Sequence, residues 1–182
     1  MSEAAGAMSE VAGAAPVRCV VALGSNIEPA RYLPQAVREL TRLGTVLRVS
    51  SVWQSAPVGF TAQADFCNGA VLLETRLAPR LLKAELRKIE DVLGRVRDPA
   101  NKNAPRTIDL DIAVYGDLVC QEEGLTLPDP DLFRRDFLAF PAAEVAPDMP
   151  CPGTPETLAA IAARFPDARE TLRVRADIPL SF

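Results

Sequence analysis

The apolar run Val17 to Leu23, broken at Gly24-Ser25-Asn26, has the length and ending of a buried strand that runs into a turn. From Pro29 to Leu43 the period changes. Leu33, Val37, Leu40 and Leu43 recur at helical spacing, and Gly44 follows as a stop. Thr45 to Trp53 is rich in β-branched residues and reads as a strand; Ala56-Pro57-Val58-Gly59 breaks it, and a second β run covers Cys67 to Thr75. The connection between these two strands is about a dozen residues, long enough to suggest a functional loop. Pro79 opens a helical stretch in which Leu82, Leu86, Ile89 and Leu93 share a face, closed by Gly94.

Arg95 to Pro105 holds Arg95, Arg97, Asp98, Pro99, Asn101, Lys102 and Asn103, too polar to bury a face, and reads as a mobile basic loop. Thr107 to Tyr115 alternates as a strand. Beyond it, Pro128, Pro130, Pro141, Pro147, Pro150 and Pro152 predict a loop-rich tail with a short helix near Thr157 to Arg164. The order β-α-β-β-α-β predicts an α+β, ferredoxin-like sandwich with extra C-terminal elements: helices on one face of an antiparallel sheet, the other face free for ligands.

Composition narrows the chemistry. At 182 residues and 48% apolar content the chain supports one core, read as a single domain over 17–182 after a flexible leader, 1–16, rich in Ala, Gly and Ser. A net charge of -4 argues against nucleic acid as a partner. No apolar stretch approaches the length of a membrane span, so a cytoplasmic location without membrane contact is expected; the chain is also expected to be a monomer. Cys19, Cys67, Cys120 and Cys151 are widely spaced and read as buried reduced thiols. The absence of histidine removes Ser/His/Asp and Cys/His catalysis and every zinc site with a His ligand. Carboxylates, Arg, Lys and backbone remain, which favours a hard, oxygen-ligated ion such as magnesium.

In Arg106-Thr107-Ile108-Asp109-Leu110-Asp111-Ile112 the strand period puts Asp109 and Asp111 on one face and Ile108, Leu110 and Ile112 on the other. Two ionised carboxylates side by side repel unless a cation sits between them. Taken alone such a pair is more often two solvated surface acids. The basic residues Arg95, Arg97, Lys102 and Arg106 shift the reading, because carboxylate-held magnesium beside guanidinium groups suits a polyphosphate. Neither a Walker-type nor a dinucleotide Gly-rich loop is present, so any ATP site is built differently. In Gln63-Ala64-Asp65-Phe66-Cys67-Asn68 a flat ring stands beside an amide able to pair with a heterocycle edge, or simply a core Phe and a turn Asn.

Taken in order, Ala22 to Asn26, Ala56 to Gly59, Gln63 to Asn68, Gly94 to Arg97, Ala104 to Ile112 and Arg135-Asp136-Phe137 resemble the motifs of the hydroxymethyldihydropterin pyrophosphokinases, over residues 17 to 150. The resemblance implies magnesium-dependent transfer of diphosphate from ATP to a pterin alcohol in folate biosynthesis. It implies two magnesium ions on Asp109 and Asp111, with Arg95 and Arg106 assisting transfer. Glu90, Arg97, Ile112, Thr126, Asp129 and Arg135 fall at nucleotide-contacting positions. Asn68 would read the pterin edge, Phe66 and Phe137 flank its ring, and the backbone of Ser55, Ala56 and Val58 completes that pocket. The chain departs from the pattern in three respects: Asp129 follows Pro128 where members usually carry a histidine, Asn103 and Ala104 stand where the loop commonly carries an aromatic, and Gly124 stands where an arginine is often found. An acid beside a phosphate repels it. Weaker ATP binding, a different acceptor alcohol, or a relative that binds a pterin-like ligand without catalysis are the alternatives these departures raise.

Overall fold

The computed structural model describes residues 15–59, 61–101 and 103–182; the leader thus falls almost wholly outside the described residues, as does Lys102. The secondary structure begins with β1 (Val17–Ser25), α1 (Pro29–Leu40), β2 (Thr45–Val49), β3 (Trp53–Ser55), β4 (Phe66–Thr75), α2 (Pro79–Val92) and β5 (Asp109–Tyr115). It continues with a hairpin of β6 (Cys120–Glu122) and β7 (Leu125–Leu127), then α3 (Asp136–Val145), α4 (Leu158–Ala162), α5 (Ala168–Thr171) and β8 (Arg173–Val174).

The main sheet is antiparallel in the order β5-β1-β4-β3-β8, with β2 also paired to β4. The predicted strand Thr45 to Trp53 is two strands. Ser50 interrupts it by inserting its hydroxyl into the ladder, where Oγ accepts from the Ala70 N–H at 2.8 Å and donates to the Ser51 carbonyl at 2.6 Å. The first helix ends at Leu40, before Gly44. That glycine answers to a close approach instead, since a Cβ there would lie 2.2 Å from the Glu74 carbonyl oxygen.

Strand alternation divides the core. Cys19, Val21, Leu23, Val71, Leu73, Leu110 and Ile112 face the apolar stripes of α1 (Leu33, Val37, Leu40) and α2 (Leu82, Leu86, Ile89). Val20, Ala70, Leu72, Ala113 and Val114 face the other way, against Leu138, Ala139, Ala142 and Val145 of α3 and Leu158 and Ile161 of α4. The expectation that this second face stands free is therefore corrected: two helices of the proline-rich tail cover most of it. Sequence periodicity concealed α3 because it is apolar nearly all round and carries Pro141 in its interior. Only the end of the face beyond α3, where β1 and β5 enter their loops, stays open.

Cys19, Cys67 and Cys151 are buried free thiols, and burial pushes Cys19 up to about 12; Cys120 is half-buried, contrary to expectation. Among the described residues no helix is long and apolar enough to cross a membrane. Leu86 is fully buried between α2 and the sheet. Leu86→Ala is expected to lower unfolding free energy by about 2–5 kcal/mol, read from the urea midpoint with an unchanged m-value.

Candidate functional site

Because β5 is the outer strand of the main sheet, the N–H of Leu110 points away from β1 and needs a partner. Glu90 supplies it. Its side chain, 4% exposed, accepts from Leu110 N–H at 2.8 Å. The same carboxylate is ion-paired with Arg95 and Arg97. The local chain path explains how Arg95 arrives there. Gly94 takes φ 77° at the end of α2, and Arg95 N–H returns to the Glu90 carbonyl at 3.0 Å, so its side chain starts beside Glu90.

Arg95 also reaches Asp109, whose other oxygen accepts from Arg106 Nη1 at 2.7 Å. Burial alone would raise the Asp109 carboxyl, but the charges and hydrogen bonds of the two guanidiniums outweigh it and hold the group below the ordinary aspartate range. Glu90 moves the other way: burial pushes it up, against the pull of the Leu110 N–H and Arg95. Asp111, on the same strand face, is ion-paired with Lys83 of α2.

Two adjoining cavities meet at Asp109. One, of about 270 Å³, is lined by Ser55, Ala56, Val58, Phe66, Asn68 and Phe137, together with Asn103, Arg106, Asp131 and Arg135. All six residues expected around a pterin thus come together. Asn68 Nδ2 donates to Ser55 Oγ at 2.9 Å, which fixes the plane of its amide, and the Arg106 guanidinium stands 5.7 Å from the centre of the Phe66 ring. The second cavity, of about 140 Å³, is lined by Asp109, Asp111, Asp129 and Asp131 with Gly24 and Phe137 among its walls. A third hollow of about 140 Å³ gathers Arg95, Arg97 and Arg106. Larger clefts of about 610 and 620 Å³ lie elsewhere, and neither is lined by a pair of carboxylates.

Of the residues expected at the nucleotide, Asp129 and Arg135 reach these cavities, Arg97 lies in the arginine-lined hollow, and Glu90 is buried behind it as an anchor. Ile112 is in the core and Thr126 is exposed on β7, so neither lines a cavity. Four further residues were not expected. Lys83 pairs with Asp111, and Asp131 lines both cavities. Asn26 ties three segments: its Oδ1 accepts from Arg106 N–H at 2.8 Å, and its Nδ2 donates to Gln63 Oε1 at 2.8 Å and the Ala64 carbonyl at 3.2 Å. Gln63 in turn donates to the Asn103 carbonyl at 3.0 Å. The available signal was Lys83 standing two turns before Glu90 on one helix face, and a buried amide at the tip of a strand.

Asp109 and Asp111 suit a hard divalent cation, being oxygen donors on one strand face. Among the described residues no three acids converge closely enough to hold one unaided. That matches magnesium, which commonly takes one or two carboxylates and completes its shell with water and substrate phosphates.

Residues 20–147 match the family model described as 7,8-dihydro-6-hydroxymethylpterin-pyrophosphokinase (HPPK). Among curated proteins, the 2-amino-4-hydroxy-6-hydroxymethyldihydropteridine pyrophosphokinase of Haemophilus influenzae is 36% identical over 141 residues, 76% of this chain and 87% of its own. The proteins of the same name from Pseudomonas aeruginosa and Bacillus subtilis are 39% and 41% identical, over 79% and 69% of this chain and 91% and 75% of theirs. The structure is similar to that of Plasmodium falciparum HPPK-DHPS with pterin and p-hydroxybenzoate, at a TM-score of 0.67 and 12% identity, over 88% of this chain and 45% of that one. At that identity the likeness speaks for the fold, and this chain spans less than half of the Plasmodium protein.

Burial raises the Asp129 carboxyl despite the Asp131 N–H it accepts. An acid whose folded value is raised is costly to ionise, so the cost is full above that value and vanishes as the folded state takes up the proton. Asp129→Asn, which keeps the acceptor, is expected to raise the melting temperature at pH 7. The gain should shrink as pH falls and vanish below about 3.9, the ordinary aspartate value, in thermal scans from pH 7 to 3.5.

Proposed function

The chain belongs to the 7,8-dihydro-6-hydroxymethylpterin-pyrophosphokinase family, and from that premise we propose that it transfers diphosphate from ATP to 6-hydroxymethyl-7,8-dihydropterin, releasing AMP, in folate biosynthesis. The observation that carries this reading is the position of Asp109: it lies between a cavity lined by two aromatic rings and an orienting amide and a cavity lined by carboxylates, with Arg95 and Arg106 on its own oxygens.

The pterin ring would lie near Phe66 and Phe137, with the Asn68 amide reading its donor and acceptor edge and the backbone of Ser55, Ala56 and Val58 completing the pocket. The hydroxymethyl oxygen then faces Asp109. It attacks the β-phosphorus of ATP; the bond from that phosphorus to the oxygen bridging to the α-phosphate breaks, AMP leaves, and the hydroxyl proton is lost to the surroundings. Asp109 and Asp111 would hold the magnesium, two ions on the family pattern, and the metal would supply Lewis-acid neutralisation of the phosphate oxygens. Arg95 and Arg106 supply the remaining positive charge where negative charge develops, and Arg97 and Arg135 stand at the margins of the same site. Such transfer depends on position and charge, so the lack of a histidine base is no obstacle. We take the working form to be a monomer.

The test is AMP formation from ATP. The expected result is AMP only when the pterin alcohol and magnesium are both present, a fall of about 10²–10³ in kcat for Arg106→Ala, and loss of turnover in Asp111→Ala. A folded protein that binds the pterin yet forms no AMP would instead leave a ligand-binding relative.

A further inference from the structure

Lys83 belongs to none of the motifs that define the site, yet its side chain is only 22% exposed and its ammonium is the one cation paired with Asp111 among the described residues. The charged groups that face it are Asp109, Glu90 and Asp129 on the acidic side and Arg87 on the basic side. An ammonium seated on an oxygen of Asp111 brings three donors and a full positive charge to the place where a divalent cation would be ligated. Its positive charge at that oxygen opposes the approach of a second cation to Asp111.

We propose that Lys83 competes with the divalent cation for Asp111, closing the carboxylate pair in the ligand-free protein and admitting the ion together with the nucleotide phosphates. The inference rests on the assignment of Asp109 and Asp111 as cation ligands. A hydrated ion arriving alone must displace the ammonium and leave it without its carboxylate. An ion arriving on ATP brings phosphate oxygens that offer the ammonium a new anionic partner, so the exchange conserves paired charge. Asp129 gives the released ammonium a second neighbour. This acid lines the same cavity as Asp111 and forms no ion pair among the described residues. Lys83 there offsets the repulsion that Asp129 would exert on phosphate.

Equilibrium dialysis of Mn²⁺ against the full chain, with protein-bound manganese read as the excess on the protein side, tests this with and without the α,β-methylene analogue of ATP. Without nucleotide, Lys83→Met is expected to bind Mn²⁺ about three- to tenfold more tightly than wild type, while Lys83→Arg, which restores the charge, stays near wild type. A purely structural lysine would not tighten the ion on removal. Lys83→Gln reads the same competition if the methionine variant does not fold. Equal or weaker Mn²⁺ binding by the uncharged variants overturns the proposal. Asp111→Asn separates that failure from failure of the site itself: it should lose Mn²⁺ binding in the presence of the analogue whether or not Lys83 competes, and retention there would bring down the cation assignment and the proposal with it.

Discussion

The site depends first on one buried carboxylate. Glu90 is enclosed by α2 and the outer edge of β5, where leaving it unpaired would be strongly unfavourable. It is held by three donors: the Leu110 N–H and the guanidiniums of Arg95 and Arg97. Each connection does something different. The N–H fixes the edge strand that carries both aspartates, and Arg95 passes from Glu90 to Asp109, so that its guanidinium is held in place beside Asp109. Preorganised charge of this kind costs no rearrangement at the moment of reaction.

A sheet with helices on both faces leaves few openings, and here the opening is set by lengths. The α3 helix covers the middle of the face opposite α1 and α2, and the strands β1, β4 and β5 project past it. Ala56 and Val58 from the loop after β3, and Asn103 and Arg106 from the loop after α2, line the cavity at that end. Asn26, at the tip of the projecting strands, holds the two loops to each other and to Arg106. The cavity for a flat ring and the cavity for charged groups are therefore neighbours by construction, joined at Asp109.

Much of this was legible in the chain itself. The period of two in Ile108 to Ile112 separates the aspartates from the core-facing residues as expected, and the apolar stripes of α1 and α2 mark the helices that pack on the sheet. Gly94, just before Arg95, marked the end of a helix. What was not legible has physical causes. The α3 helix lacks a polar face and contains Pro141, so neither periodicity nor propensity announces it, and the covered second face was missed with it. Ser50 splits a strand through a side-chain hydrogen bond that no pattern reports. Lys83 reads as an ordinary helix lysine, because its partner Asp111 lies 28 positions away and only the packing of α2 beside β5 brings them together. Thr126 and Ile112, expected at the nucleotide from the family pattern, line neither of the cavities that meet at Asp109.

The central claim is that Asp109 and Asp111 form the cation seat between the ring pocket and the arginines. A crystal structure of the protein with Mg²⁺, the α,β-methylene analogue of ATP and 6-hydroxymethyl-7,8-dihydropterin tests it most directly. The account predicts magnesium bound by oxygens of both aspartates, the pterin near Phe66 and Phe137, and Arg95 still joined to Glu90. Magnesium held away from these carboxylates, or a pterin seated in another cleft, would contradict it.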